Sequence, residues 1–323
     1  MSNMERCIGV DIGGTNITLG VVEEGRKIIC KKSIKTRPAR AYSEICADII
    51  YLIRDAIKSY VGIRTVGIGC PGCCDQDKGI VYAANNLGWH DVNLKADIEN
   101  SAGIDGIMVS VENDANAAAY GEYLAGAARG ASSAVVITLG TGVGSGIIFN
   151  GEIFHGERFE GGELGHIVID INGPKCSCGR NGCFETFSSI TGLIRMTNEA
   201  ILNNPGSKIK ELAEKAGRIS ARTAFDAAKS GDEAARAVIE SYIRYLACGV
   251  ANVINIFRPE CVCIGGGISN EGENLLAPLR KEVKSQIFAG YSDFETKIVA
   301  CELNNDAGVI GAAILGCKLN KLN

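Results

Sequence analysis

Residues 6–23 read RCIGVDIGGTNITLGVVE: an apolar strand that closes on Asp11, a turn over Gly13, Gly14, Thr15 and Asn16, and a second apolar strand. A third run, RKIICKKSIK, continues the alternation, so residues 6–35 predict an antiparallel meander. The unit recurs far along the chain. Residues 134–153 read AVVITLGTGVGSGIIFNGEI, again a strand, a turn of Gly and Thr around Thr141 and Gly142, and a strand. Two such units predict a duplicated α/β core, each half offering one phosphate loop to a ligand. In the first loop the glycine pair lets backbone amides approach an anion, Thr15 and Asn16 add side-chain donors, and Asp11 is placed to hold Mg²⁺ through water. Alone, GGTN is equally an ordinary hairpin turn. Neither loop is a Walker A motif, since no Lys follows the glycines, and neither opens a helix as a dinucleotide fingerprint does.

Between the loops, Ile45, Ile49, Ile53, Ala56 and Ile57 recur at helical spacing within 43–60, which predicts a helix over the sheet. A strand, TVGIGCPG, then leads through Gly72 to NNLGW at 85–89, where Asn86 stands beside Trp89, the chain's single tryptophan. Amides beside an indole suit a sugar; a loop packed by one aromatic is the alternative. In MVSVENDANAAAYGE a strand passes into a helix at Asn113 and Asp114. Asp114 reads either as the helix N-cap or as a general base at the edge of a cleft. Late in the chain, the strand 261–264 enters Gly265, Gly266 and Gly267, a turn that would let a planar base or ribose lie against the backbone.

Residues 161–188 read GGELGHIVIDINGPKCSCGRNGCFETFS. His166, Cys176, Cys178 and Cys183 make a complete tetrahedral donor set for Zn²⁺, with no position left for water, hence a structural site rather than that of a zinc hydrolase. The alternative is a reduced, metal-free loop. Glu163 and Glu185 flank the cluster, and buried carboxylates on a metal-stiffened loop suit recognition of sugar hydroxyls.

The chain of 323 residues, 46% hydrophobic and 22% charged, is long enough for two domains with large cores. A net charge of −4 argues against a nucleic-acid surface. No apolar run reaches the roughly eighteen residues that span a bilayer, and no signal peptide is apparent, so the expectation is a cytoplasmic protein without membrane contact. In that compartment disulfides are not expected, and of the fourteen cysteines those outside the zinc loop are expected to be reduced and mostly buried as small hydrophobes.

Taken in order, DIGGTN, VENDANAAAYGE, TLGTGVGSGI, ELGH with C-x-C-G-x-x-G-C, and GGGIS resemble the ROK (repressor, open reading frame, kinase) family of sugar kinases, most closely its ATP-dependent glucokinases. The likeness runs from about residue 8 to about 315. It implies the actin-like, hexokinase-like fold of two α/β lobes with a cleft between them. Residues 1–115, joined by the C-terminal helix 306–323, would form the small lobe, and 116–305, with the zinc loop, the large one. It also implies that Asp114 is the catalytic base for transfer from ATP to the 6-hydroxyl of a hexose. Asn86, Asn113, Glu163, His166 and Glu185 would be sugar ligands, with Gly72 at the same pocket. Gly13, Gly14, Thr15, Asn16, Thr141 and Gly142 would hold phosphates, and Gly265 and Gly266 adenosine. Glucose is the expected sugar; N-acetylglucosamine, N-acetylmannosamine, fructose and allose are the alternatives, and a homo-oligomer, dimer or tetramer, is expected. Family repressors carry a helix-turn-helix segment ahead of the kinase-like part, for which Asp11 stands too early.

Overall fold

The computed structural model describes residues 6–24, 27–101, 103–288 and 295–322. Arg26, the expected start of the third strand, and Asn323, the expected end of the last helix, lie outside them. The contacts divide into two compact units, one of Met1–Ser133, Gly146–Gly162 and Glu302–Asn323, the other of Ala134–Ser145 and Glu163–Cys301. The chain therefore stays in the first unit well past residue 115, and returns to it between the glycine turn at 140–142 and the zinc-type loop.

In the first unit, β1 (Arg6–Ile12), β2 (Asn16–Glu23) and β3 (Lys27–Lys35) form the meander, with Asp11 opposite Thr18 and Ile12 opposite Ile17. Helix α1 (Tyr42–Ser59) turns Ile45, Ile49, Leu52, Ile53 and Ala56 inward, and Glu44 accepts the Ala41 N–H at 3.0 Å at its start. Next come β4 (Thr65–Cys70), then β5 (Cys73–Asp75), β6 (Ile80–Ala84) and β7 (Trp89–Val92) as a small antiparallel sheet, α2 (Leu94–Glu99), β8 (Met108–Asn113) and α3 (Asp114–Ala125). The main sheet runs β3-β2-β1-β4-β8, with β4 parallel to both β1 and β8. Parallel pairing places the carboxyl ends of β1, β4 and β8 together, with Asp11 opposite Gly69 and Cys70 opposite Asn113. Trp89 is buried and meets Tyr42 edge-on at 4.9 Å. Its indole is core packing, which overturns the idea of a sugar platform beside Asn86.

Strand β9 (Ser133–Leu139), β10 (Val143–Phe149) and β11 (Glu152–Ile153) follow, β10 and β11 pairing Ile148 with Ile153. The second unit continues with α4 (Phe184–Ser188), α5 (Ile190–Asn203), α6 (Lys208–Ala216), α7 (Ala221–Lys229), α8 (Glu233–Phe257), β12 (Cys261–Gly265), α9 (Glu273–Gln286) and β13 (Lys297–Ala300). β12 lies parallel to both β9 and β13, with Cys263 opposite Val136 and Val299. By length and composition α8 is long and apolar enough to cross a membrane, which no stretch was expected to be. Val238, Tyr242, Leu246, Val250 and Ile254 are instead buried where α8 meets α4, α5, α7 and α9, so its apolarity is that of a central core helix.

Helix α10 (Ala307–Leu322) returns to the first unit and lies against β1, β4 and α3. The approach is backbone to backbone: a Cβ on Gly9 would stand 1.9 Å from the Val309 carbonyl oxygen, and one on Gly67 1.7 Å from that of Ala312. Glycines inside strands, unfavourable on propensity, are the condition for this packing. Glu122, buried on α3, anchors the returning chain by accepting the N–H groups of Glu302 at 3.0 Å and Leu303 at 2.7 Å. The same approach brings Cys7 and Cys317 to a Cα separation of 6.1 Å, and they form a disulfide. The expectation of reduced cysteines outside the zinc loop is corrected here: residues 310 apart in sequence, which no spacing could pair, meet because α10 packs on β1.

Candidate functional site

The first unit gathers Asp11, Gly72, Asn113 and Asp114 at the carboxyl ends of its parallel strands. The cap of α3 is Asn113, whose Oδ1 accepts the Asn116 N–H at 3.0 Å while its Nδ2 donates to the Gly72 carbonyl at 3.0 Å. Asp114 is thus the first helical residue and not the cap, and one carboxylate oxygen accepts the Ala115 N–H at 2.8 Å. Gly72 has φ +94°, and a Cβ there would stand 1.9 Å from the Ala83 carbonyl oxygen, so the turn that presents its carbonyl to Asn113 requires glycine. Burial pushes the Asp11 carboxyl up to about 6, the charge of Asp114 adds to the rise, and Lys31 opposes it. Two partly buried carboxylates whose charges repel favour a cation between or beside them.

The loop after Asp11 is tied from behind. Thr36 is fully buried, donates its hydroxyl to the Gly13 carbonyl at 2.6 Å, and gives its N–H to the Thr15 carbonyl at 3.0 Å. Gly13 N–H closes the turn on the Asn16 carbonyl at 2.9 Å. At Gly14 neither conformation nor space within the protein demands glycine, for a Cβ there would meet nothing within 4 Å. Bare, exposed backbone at this point leaves room for a ligand. Asn86 stands exposed in the one-turn helix Asn85–Leu87, which buried Leu87 pins down.

In the second unit the turn between β9 and β10 closes through Gly140 N–H on the Gly142 carbonyl at 2.9 Å, leaving Thr141 exposed. Glu185, in the first turn of α4, accepts the Val143 N–H at 3.0 Å, and a Cβ on Gly142 would lie 2.3 Å from its Oε2. Its other oxygen takes the Ser177 hydroxyl at 3.5 Å and lies 3.8 Å from Cys176 Sγ. Glu185 therefore joins the glycine turn to the cysteine cluster. Glu163 is exposed and Glu185 only partly buried, which corrects the expectation of two buried carboxylates. Glu163 sits just before the short helix Leu164–His166, which the Ser145 hydroxyl holds by accepting the Leu164 N–H at 3.2 Å.

His166, Cys176, Cys178 and Cys183 bring one donor atom each to within 4.8 Å of one another. Cys178 and Cys183 sulfurs are 3.6 Å apart, and Cys176 Sγ is 3.7 Å from His166 Nδ1. Zn–S bonds of about 2.3 Å put tetrahedral ligand atoms at about such separations. The loop is knitted by Cys176 N–H to the Arg180 carbonyl at 2.8 Å and by Gly182 N–H to the Pro174 carbonyl at 2.8 Å. A hydrogen bond from the Arg180 N–H holds the Cys178 thiol down at about 6, whereas burial pushes Cys183 up to about 12, helped by the neighbouring thiols. A divalent cation would reconcile the two, and Nδ1 on the sulfur side leaves His166 Nε2 for another partner. Gly265 and Gly266 are accounted for by packing. A Cβ on Gly266 would stand 2.2 Å from the Leu139 carbonyl oxygen, and one on Gly265 2.9 Å from Cys301 Sγ.

Residues that the motifs did not single out support these sets. Thr36 and Ser145 carried no signal, but Glu112, an acid closing an apolar strand just before Asn113, was visible in the sequence as an oddity.

The ROK family model matches residues 7–318. A glucokinase of Halalkalibacterium halodurans is 37% identical over 313 residues, 95% of this chain and 94% of that one. Among solved structures, the ROK family glucokinase from Streptomyces griseus in complex with glucose and AMPPNP has 33% identity and a TM-score of 0.81 over 97% of this chain and 99% of that one. A ROK family transcriptional regulator, a homologue of E. coli MLC, has 27% identity and a TM-score of 0.85, covering 98% of this chain and 79% of the regulator. Matched over nearly all of its length, and sharing the actin-like, hexokinase-like fold of these relatives, the chain belongs to the ROK family.

Proposed function

We propose that this protein is an ATP-dependent glucokinase, transferring the γ-phosphoryl group of MgATP to the 6-hydroxyl of glucose. The observation that supports the mechanism is the division of labour at the start of α3: Asn113 takes the capping role, so capping does not account for the carboxylate of Asp114 at the strand-to-helix junction. In the reaction Asp114 accepts the proton of the 6-hydroxyl as that oxygen bonds to the γ-phosphorus, and the bond from the γ-phosphorus to the bridging oxygen breaks, releasing ADP. A carboxylate suffices because phosphoryl transfer is governed by positioning and charge neutralisation.

Asn113, Glu163, His166 and Glu185, with Asn86 and Gly72, orient the sugar. Gly13, Gly14, Thr15 and Asn16, with Thr141 and Gly142, hold phosphates through backbone donors, and Gly265 and Gly266 border the adenosine. Asp11 fits Mg²⁺, which when bound would neutralise phosphate charge. His166, Cys176, Cys178 and Cys183 fit a structural Zn²⁺. Glucose is favoured by the curated relative and by the ligand of the S. griseus enzyme.

The test is an ADP-release assay with MgATP and a panel of glucose, mannose, fructose, allose, N-acetylglucosamine and N-acetylmannosamine, with Asp114→Asn alongside. The expected outcome is best turnover with glucose and a loss of roughly a hundredfold or more in the variant. Best turnover with another hexose would move the substrate, and folded protein silent with all of them would make it a sugar-binding regulator.

A further inference from the structure

Behind the base lies a buried network that the proposed contact set does not include. Glu112, the penultimate residue of β8, is 4% exposed. Its Oε1 accepts the backbone N–H of Asn113 at 2.8 Å and the side-chain amide of Asn116 at 3.0 Å, so one oxygen holds both the residue before Asp114 and the first turn of α3. Its Oε2 lies 3.0 Å from His155 Nε2, and the Gln76 amide contacts both groups. The tautomer with its proton on Nε2 makes the His155 contact a donated hydrogen bond. Gln76 follows β5 and His155 follows β11, so two further segments of the unit converge on this carboxylate. Glu112 has no Lys or Arg partner among the described residues, so its buried carboxylate requires donors on both oxygens, and these four supply them.

We propose that Glu112 and His155 are positioning residues for Asp114. Oε1 sets the backbone at Asn113, and Asn113 in turn spans from the Asn116 N–H to the Gly72 carbonyl, so a change at Glu112 displaces the cap, the base and the Gly72 turn together. His155 completes the network by fixing Oε2, and thereby the rotamer that aims Oε1. Neither residue belongs to the proposed contact set. This inference rests on the kinase reading, since its effect is on the geometry of proton transfer, where small displacements cost large factors in rate.

The experiment is steady-state kinetics with MgATP and glucose on wild type, Glu112→Gln, His155→Ala and His155→Gln, with thermal melts of each. Free imidazole is then added to His155→Ala. A cavity of about 370 Å³ lined by Glu112, His155, Gln76 and Tyr120 gives it a path to the vacated place. Expected are a fall in kcat of roughly tenfold or more in Glu112→Gln and His155→Ala, KM for ATP within about twofold of wild type, and recovery of part of the kcat of His155→Ala with imidazole. His155→Gln carries the test if the others fold poorly, because the His155 side chain is 22% exposed and its replacement leaves no large void. Values of kcat within about twofold of wild type overturn the proposal, as does a loss that tracks the folded fraction and ignores imidazole. An inactive wild type would overturn the kinase reading and this inference with it; an active wild type with unaffected variants overturns this inference alone.

Discussion

Glu185 accepts the backbone N–H of Val143 at 3.0 Å through one oxygen and keeps the other 3.8 Å from the sulfur of Cys176. One carboxylate thereby fixes the glycine turn proposed to hold phosphate against the loop proposed to hold zinc. Its removal should damage more than sugar affinity. Glu185→Ala is expected to lower kcat/KM for both glucose and ATP by roughly a hundredfold, the combined loss of a charged hydrogen bond and of loop position. Gly142→Ala, whose Cβ would stand 2.3 Å from Glu185 Oε2, should act through the same contact. The double variant is then expected to lose little beyond the worse single one. Additive losses in the kinetic double-mutant cycle would show that the glycine turn and Glu185 work separately.

The cluster of His166, Cys176, Cys178 and Cys183 leads to a prediction on metal content. Metal analysis of the purified protein should find about one zinc per chain, and about none in Cys183→Ser, whose lost ligand is wholly buried. Chelation should weaken glucose binding and lower Tm, because the loop between His166 and Glu185 then loses the cross-link among its cysteines. A zinc-free protein with full glucose affinity and three titratable thiols in the loop would establish the alternative, a reduced loop stable without metal.

Asp11 connects pH, metal and stability. Its folded pKa, about 6, lies above the ordinary carboxylate value of 3.8 because burial and Asp114 disfavour its charge. A raised pKa means that the protonated form is favoured in the folded state. Without divalent metal, stability is therefore greatest below about pH 4 as far as this group is concerned, and falls as pH rises through about 6. Asp11→Asn should remove that fall and be more stable at pH 7.5 by roughly 2–3 kcal/mol. Activity runs the other way: the variant should lose most turnover, and wild-type affinity for Mg²⁺ should drop below pH 6 as the proton competes for the same oxygens. Denaturant melts of the two proteins at pH 4 and 7.5 with chelator present check the stability argument, and an unchanged difference between them at the two pH values would defeat it.

What could be read from residues alone divides along physical lines. The meander, the helix at 42–59 and the strand-to-helix junction at Asn113 were legible because each shows a local period or cap. The cysteine cluster was legible because metal ligation needs a fixed set of atoms at short spacing. Thr36, holding the first glycine turn from behind, was not, since a threonine two residues before a proline looks like any loop residue. For Trp89 the sequence left two readings open, sugar platform and packing, for the complementary reason. Its neighbours in sequence are polar, but its partner Tyr42 comes from a helix 47 positions earlier, and burial is decided there. The glycines of β1 and β4 belong to the same class: nothing near Gly9 or Gly67 announces that a helix from the far end of the chain will lie on them.

That helix also yields the last prediction. Cys7 is the second residue of β1 and Cys317 lies in the later half of α10, packed with Val22, Val309 and Ala313. The bond between them ties the C-terminal helix to the strand whose other end carries Asp11, and α10 begins beside Asp11, where a Cβ on Gly308 would come within 2.9 Å of its carboxyl carbon. Loosening the helix should therefore be felt at the proposed metal site. Peptide mapping without reductant is expected to recover Cys7 and Cys317 in one cross-linked species. Reduction, or the pair of substitutions Cys7→Ser and Cys317→Ser, should lower Tm by several degrees and weaken Mg²⁺-dependent turnover, with reductant having no further effect on the double variant. Recovery of both cysteines as free thiols from protein purified and alkylated in air would show that they only pack together, and the coupling between helix and metal site would then rest on the glycine contacts alone.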